Sequence, residues 1–248
     1  MSNLADAERK KSRKTAYLSK RNAIAAERKK NVRTAYLDKR NAMDVGERRM
    51  ASQKIAAWVF ANKRFKAAQT VFVYVSFKSE VDTFKIIQKA LKLGKRVAVP
   101  KVDGPVMDFY EIHSLEELFP GNFGILEPQV QDKQPVIPMA GDVMLVPGAV
   151  FDRKGSRIGY GKGYYDRYWD KLISTYGSKP YLIALAFACQ ISPKKLPNEE
   201  HDKKIDCILT DRRVIMPRVE KNDKKNIIVE LIDIAIDVGL ELIAALWD

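Results

Sequence analysis

Cysteine and long apolar runs are nearly absent from this chain, and acidic residues fall well short of basic ones. Of 248 residues only Cys189 and Cys207 are cysteine. Both sit in apolar or strand-like runs, without C-x-x-C spacing or a histidine in a ligand pattern. That argues against a disulfide framework or a zinc site. Two small buried residues in a reducing compartment are expected instead. No uninterrupted apolar stretch reaches the roughly 18 residues a membrane span needs. The N-terminus lacks the apolar core of a secretory signal, and Asp6, Glu8, Glu27 and Asp38 count against a transit peptide. The expected address is the cytoplasm, with no membrane partner.

The charge shortage is uneven. Against 44 Lys/Arg stand 31 Asp/Glu, a net charge of +13. Residues 1–50 alone hold 15 basic and 6 acidic residues. Such a field favours anionic partners: nucleic acid, phosphates or polycarboxylates. The length suits one large domain or one domain with extensions. At 46% apolar and 30% charged, the composition is that of an ordinary globular protein.

The basic region contains a repeat. ERKKSRKTAYLSKRNAI (8–24) matches ERKKNVRTAYLDKRNAM (27–43) with 12 of 17 positions identical at an offset of 19. Both copies read as helix, with good helix formers and neither Pro nor Gly. An offset of 19 turns a helix by about 100° beyond whole turns, so the copies do not share one face. Two copies are too few for a solenoid. The second copy runs into the body through ERRMASQKIAAWVF, so 1–26 is expected to be a duplicated basic extension of a domain spanning 27–217.

The body alternates strand and helix patterns. VFVYVSF (71–77), RVAVP (96–100), VMDFYEI (106–112), DVMLVPG (142–148), YLIALAF (181–187) and KIDCILT (204–210) read as strands. Residues 83–93, ending at Gly94, and 164–175 read as helices. Residues 121–138 read as a long loop. The alternation predicts a single α/β domain, a largely parallel sheet flanked by helices, with helical N- and C-terminal extensions. Residues 218–248 read as a polar linker and an amphipathic helix. Its acidic stripe, Glu230, Asp233, Asp237 and Glu241, leaves a wide apolar face for the body or a second subunit.

The chemistry concentrates in VPGAVFDRKGSRIGYGKGYYDRYW (146–169), directly after a buried strand, where open α/β sheets bind ligands. Gly159, Gly161 and Gly163 alternate with Tyr160 and Lys162. Small residues let backbone N–H groups approach phosphate oxygens, and a helix N-terminus just behind adds its dipole. Lys162 supplies a point charge and Arg157 a planar fork. The pattern is neither a Walker A loop, since Ser156 and Gly163 break it, nor G-x-G-x-x-G.

P-G-A-V-F-D-R-x-G-x-R-I-G-Y-G-K-G-Y-Y-D-R (147–167) resembles the signature of the 5-formyltetrahydrofolate cyclo-ligase family. SEVDT (79–83), KRVAVPKV (95–102), GNFGILEP (121–128) and LPNEEHDKKIDCILTD (196–211) resemble further elements of it, so the likeness covers roughly 27–213. The resemblance implies an ATP-dependent cyclisation of 5-formyltetrahydrofolate to 5,10-methenyltetrahydrofolate. ATP is then co-substrate and Mg²⁺ the metal, and the folate carries or lacks a polyglutamate tail. It implies Lys162, Arg157 and Tyr164 as catalytic residues. The nucleotide would meet Lys29, Arg33, Arg157, Gly159, Gly161, Lys162, Gly163, Tyr165 and Asp166. Glu80, Phe123 and Tyr164 would line the folate pocket, and Asp166 and Asp202 would hold Mg²⁺.

Several alternatives stand beside these roles. Glu80 and Asp82 also suit helix caps, and Tyr165 and Trp169 also suit core positions. His201 fits orientation of Asp202 better than a general base. Lys10 and Lys14 repeat the spacing of Lys29 and Arg33. Tyr160 stands where some relatives have Arg, one cation fewer. A paralogue without folate activity and a basic nucleic-acid-binding protein are the competing functions. The body carries no nucleic-acid-binding signature, and Glu80, Asp166 and Asp202 favour the enzyme. Monomer and homodimer are both compatible with the sequence.

Overall fold

A computed structural model describes residues 2–121, 124–177, 179–197 and 203–217, without the side chains of 2–19 and 22. Four helices and three strands open the chain: α1 (Ser2–Asn41), α2 (Val45–Ala61), α3 (Lys63–Ala67), β1 (Thr70–Val73), α4 (Phe84–Lys92), β2 (Arg96–Asp103) and β3 (Val106–Ile112). Next come β4 (Leu118–Pro120), β5 (Leu126–Pro128), β6 (Val143–Val146), β7 (Val150–Asp152) and β8 (Arg157–Ile158). The rest is α5 (Tyr164–Tyr176), β9 (Tyr181–Ala186), β10 (Ile191–Ser192), β11 (Cys207–Thr210) and β12 (Val214–Ile215).

Seven strands form one sheet in the order β12-β11-β9-β6-β1-β2-β3. The inner five run parallel, and β3 and β12 close the edges antiparallel. This is the expected α/β architecture. Strand residues alternate between two buried faces, as strand geometry requires. Val71, Val97, Val143, Leu145, Ile183 and Leu209 join Ile55 and Val59 of α2 and Ile86 and Ile87 of α4 in one core. Phe72, Met144, Leu182, Ala184 and Ile208 join Tyr168, Trp169 and Leu172 of α5 in the other. The strands therefore read as continuous apolar runs, because helices cover both faces.

Order reverses between β1 and β6: β2 follows β1 outward on one side, while β9 and β11 extend from β6 on the other. Such a reversal opens a crevice at the carboxyl ends of the two strands.

Local differences from the sequence reading have identifiable causes. Residues 74–77 leave the sheet after Val73. The Thr83 hydroxyl donates to the Tyr74 carbonyl at 2.7 Å and accepts from the Ser76 N–H at 3.0 Å, which replaces ladder bonds. The 121–138 loop contains β5, paired with β4. Strands β10, β7 and β8 make a separate three-stranded sheet inside the central motif. The boundary expected at 26/27 falls within one continuous helix, α1. The C-terminal stretch beyond residue 217 lies outside the described residues. No helix among the described residues is long and apolar enough to cross a membrane.

Candidate active site

Helix α1 reaches the body with residues of the second repeat copy. Val32 and Tyr36 pack on Val150, Ile158 and Leu196. One turn on, Arg40 donates from Nε to Ser79 Oγ at 3.1 Å and from Nη1 to Tyr160 Oη at 2.7 Å. Lys29, Val32, Arg33, Tyr36 and Arg40 follow i, i+3, i+4, i+7, i+11, so they share one face. The first copy has Arg13 where the second has Val32. An arginine is poorly suited to the apolar slot Val32 fills.

The segment after β6 is fixed from below. Asp152 is buried, 2% exposed, and its carboxylate accepts from the N–H groups of Lys154, Ser156 and Leu196 at 2.8–2.9 Å. Burial alone would raise this carboxyl, but the N–H groups of Leu196 and Ser156 outweigh it and hold it below the usual range. Gln190 Nε2 donates to the carbonyls of Gly148 and Ala149 at 2.8 and 3.1 Å. The strand-to-loop turn is thereby rigid.

Above it, arginines lie flat against the glycines. Arg33 Nε donates to Gly159 O at 2.8 Å. A Cβ on Gly161, where φ is +99°, would stand 3.0 Å from Arg33 Nη1. Gly163, at φ +68°, begins α5. Arg157 has a side chain only 5% exposed and pairs with Asp166 at 2.7 Å. Its guanidinium also lies 4.9 Å from the Trp169 ring and 5.5 Å from the Tyr165 ring. Stacking and ion pairing fix the fork, so its charge is preorganised. Trp169 is thus core and support together, 3% exposed with its indole N–H on Met144 Sδ.

These elements enclose a cavity of about 360 Å³ at the crevice between β1 and β6. Lys29, Arg33, Glu80, Arg157, Gly159, Gly161, Lys162, Gly163, Tyr164, Tyr165 and Asp166 all line it. Apolar walls come from Val75, Pro100, Val102, Met107 and Ile125. That size and mixture suit a small organic ligand with a few fixed polar groups. Phe123, His201 and Asp202 lie outside the described residues. Asp82 precedes Thr83, the N-cap of α4, and accepts from Phe84 N–H at 2.9 Å, whereas Glu80 accepts from Phe77 N–H and faces the cavity.

Glu80 is raised above the usual carboxyl range by burial, opposed by the nearby Tyr160 hydroxyl, the Phe77 N–H and the Arg40 charge. Burial and the Glu80 charge raise Tyr160. Burial raises Tyr165, whose hydroxyl is buried and has no hydrogen-bond partner among the described residues. A buried orphan hydroxyl in a ligand cavity is a group awaiting a partner.

Sequence reasoning missed four polar lining residues: Tyr74, Glu127, Tyr160 as a site group, and Lys203. It also missed Arg40 behind them. Lys203 adjoins Asp202 in a segment already singled out. Arg40 continues the helix face of Lys29 and Arg33, a signal that would have found it.

The model of the 5-formyltetrahydrofolate cyclo-ligase family matches residues 25–211. A 5-formyltetrahydrofolate cyclo-ligase of Mus musculus is 34% identical over 170 residues, covering 66% of this chain and 83% of that protein. Another, from Escherichia coli, is 34% identical over 152 residues, with 59% and 80% covered. The solved 5,10-methenyltetrahydrofolate synthetase of Aquifex aeolicus superposes with a TM-score of 0.68 at 33% identity, covering 78% of this chain and 94% of that one. By its sequence, its fold and the residues around its cavity, the chain belongs to the 5-formyltetrahydrofolate cyclo-ligase family.

Proposed function

We propose that the cavity between β1 and β6 carries out the family's reaction, with the residues gathered there in defined roles. The chain is an ATP-dependent ligase of one-carbon metabolism. It converts 5-formyltetrahydrofolate and ATP to 5,10-methenyltetrahydrofolate, ADP and phosphate. The formyl oxygen attacks the γ-phosphorus, and the bond to the β-bridging oxygen breaks to release ADP. N10 then adds to the activated formyl carbon and loses its proton. The C–O bond to phosphate breaks, leaving the five-membered methenyl ring.

Phosphoryl transfer of this kind depends on positioning and charge neutralisation. Lys29, Arg33 and Lys162 present cations to the triphosphate, and Arg157 holds a buried fork beside them. The glycine backbone at 159, 161 and 163 allows phosphate oxygens to approach. Glu80 accepts from the paired N–H donors of the pterin edge, while Tyr164, Phe123 and the apolar walls take its plane.

Mg²⁺ supplies further neutralisation at the phosphates when bound. Its preference for one or two carboxylates plus phosphate oxygens fits Asp166, whose side chain is 56% exposed and lines the cavity. Asp202 is the second carboxylate in this reading. Residues 27–217 form the catalytic unit, with 1–26 and 218–248 as additions to it.

The observation that carries the proposal is one cavity lined by both Glu80 and the cationic glycine loop. Lys162 is exposed at its rim, so its loss leaves the fold undisturbed. Lys162→Ala should lower kcat by about a hundredfold with an unchanged melting temperature. Wild-type turnover in that variant would contradict the assignment of the phosphate loop.

A further inference from the structure

Arg40 is buried, 6% exposed, and its polar contacts are hydroxyls: Ser79 Oγ at 3.1 Å and Tyr160 Oη at 2.7 Å. No carboxylate lies within ion-pair distance of it among the described residues. A buried guanidinium held by neutral groups is costly, and an apolar side chain of similar volume would fill the space more cheaply. Its guanidinium also lies 5.5 Å from the Tyr160 ring.

The donor pattern gives the contact a direction. Arginine donates and never accepts. With Arg40 donating to Tyr160 Oη, the phenolic hydrogen must point away from Arg40. It is donated to the Gly148 carbonyl at 3.3 Å, while Tyr160 and Glu80 line the same cavity. Tyr160 is 39% exposed as a residue and lines the cavity, while its hydroxyl is held by Arg40 and Gly148. Arg40 thus holds both Ser79, the residue before Glu80, and Tyr160, which lines the cavity with Glu80.

We propose that Arg40 is a positioning residue for the reaction, acting through Ser79 and Tyr160 to keep Glu80 aimed at the cavity, so that it can accept from the pterin edge. The proposal rests on the reading of Glu80 as the pterin carboxylate. An ionised acceptor matters there, because a protonated carboxyl would set its own O–H against the ligand's N–H donors. Two further ionisable groups that feel the Glu80 charge, Tyr74 and Tyr165, do not compete. The Tyr74 hydroxyl is spent on the Val81 carbonyl at 3.1 Å, and burial keeps both Tyr74 and Tyr165 protonated. Losing Arg40 or the Tyr160 hydroxyl removes one influence that lowers the Glu80 pKa and leaves burial, which raises it.

The test compares Arg40→Met, Arg40→Lys, Tyr160→Phe and Glu80→Gln in the full chain. Arg40→Met should raise KM for 5-formyltetrahydrofolate about tenfold, with kcat and KM for ATP little changed. The acid limb of kcat/KM for the folate should move to higher pH. Arg40→Lys, which keeps the charge and a donor, should recover much of the loss. Tyr160→Phe should reproduce both effects, and it keeps the test open if Arg40→Met does not fold. Unchanged folate KM and acid limb in Tyr160→Phe, or a rise in KM for ATP alone, would overturn the proposal. Glu80→Gln separates the two layers. If its folate KM is wild-type, the pterin reading itself fails. If Glu80→Gln loses folate binding while the other variants behave as wild type, only the role of Arg40 fails.

Discussion

Asp152 shows how one residue holds the site without facing it. Its carboxylate gathers three backbone N–H groups from the two segments that cradle the glycine loop. Removing it leaves those donors buried and unpaired, a cost of about 3 kcal/mol. Asp152→Ala should lose roughly that much stability in urea unfolding. The pH dependence follows from the lowered carboxyl. Its folded value lies below its unfolded one, so its stabilisation is present above the ordinary carboxyl range. It is lost as pH falls through the folded value. Asp152→Asn should therefore flatten the acid side of the stability–pH curve. A variant curve as steep as the wild type's would contradict the role.

At the scale of elements, α1 is the helix that meets the nucleotide in the proposed reading. Among the described residues, its contacts with the body come from the second copy, through Val32, Tyr36 and Arg33. The first copy's Arg13 does not suit the slot of Val32. Deleting residues 1–26 should leave kcat and both KM values close to wild type in steady-state assays. A large rise in KM for ATP would mean that Lys10 and Lys14 reach the phosphates instead.

The elements also show what was legible in sequence. Strand β3 falls at 106–112 as read, because ring and polar residues alternate there. Helix α4 falls within one residue of its expected bounds, since Gly94 ends it. The sheet of β10, β7 and β8 was invisible, because strands of two or three residues carry no periodicity. The cluster of Gly159, Lys162 and Asp166 was legible because its members are neighbours in sequence. Arg40 and Tyr160, 120 residues apart, meet only through the packing of α1 on the sheet.

For the whole molecule, the sheet order determines where ligands go. The reversal between β1 and β6 places Tyr74, Pro147 and the glycine loop around one opening. Carboxylate and cations then face a single cavity, as a reaction joining a pterin formyl group to a phosphate requires. The most direct test of this account is absorbance in the near-ultraviolet methenyl band with 5-formyltetrahydrofolate, Mg²⁺ and ATP. The account predicts a rise that needs all three and is matched by one ADP for each product formed. No rise in the complete mixture, with ATP still binding, would contradict it.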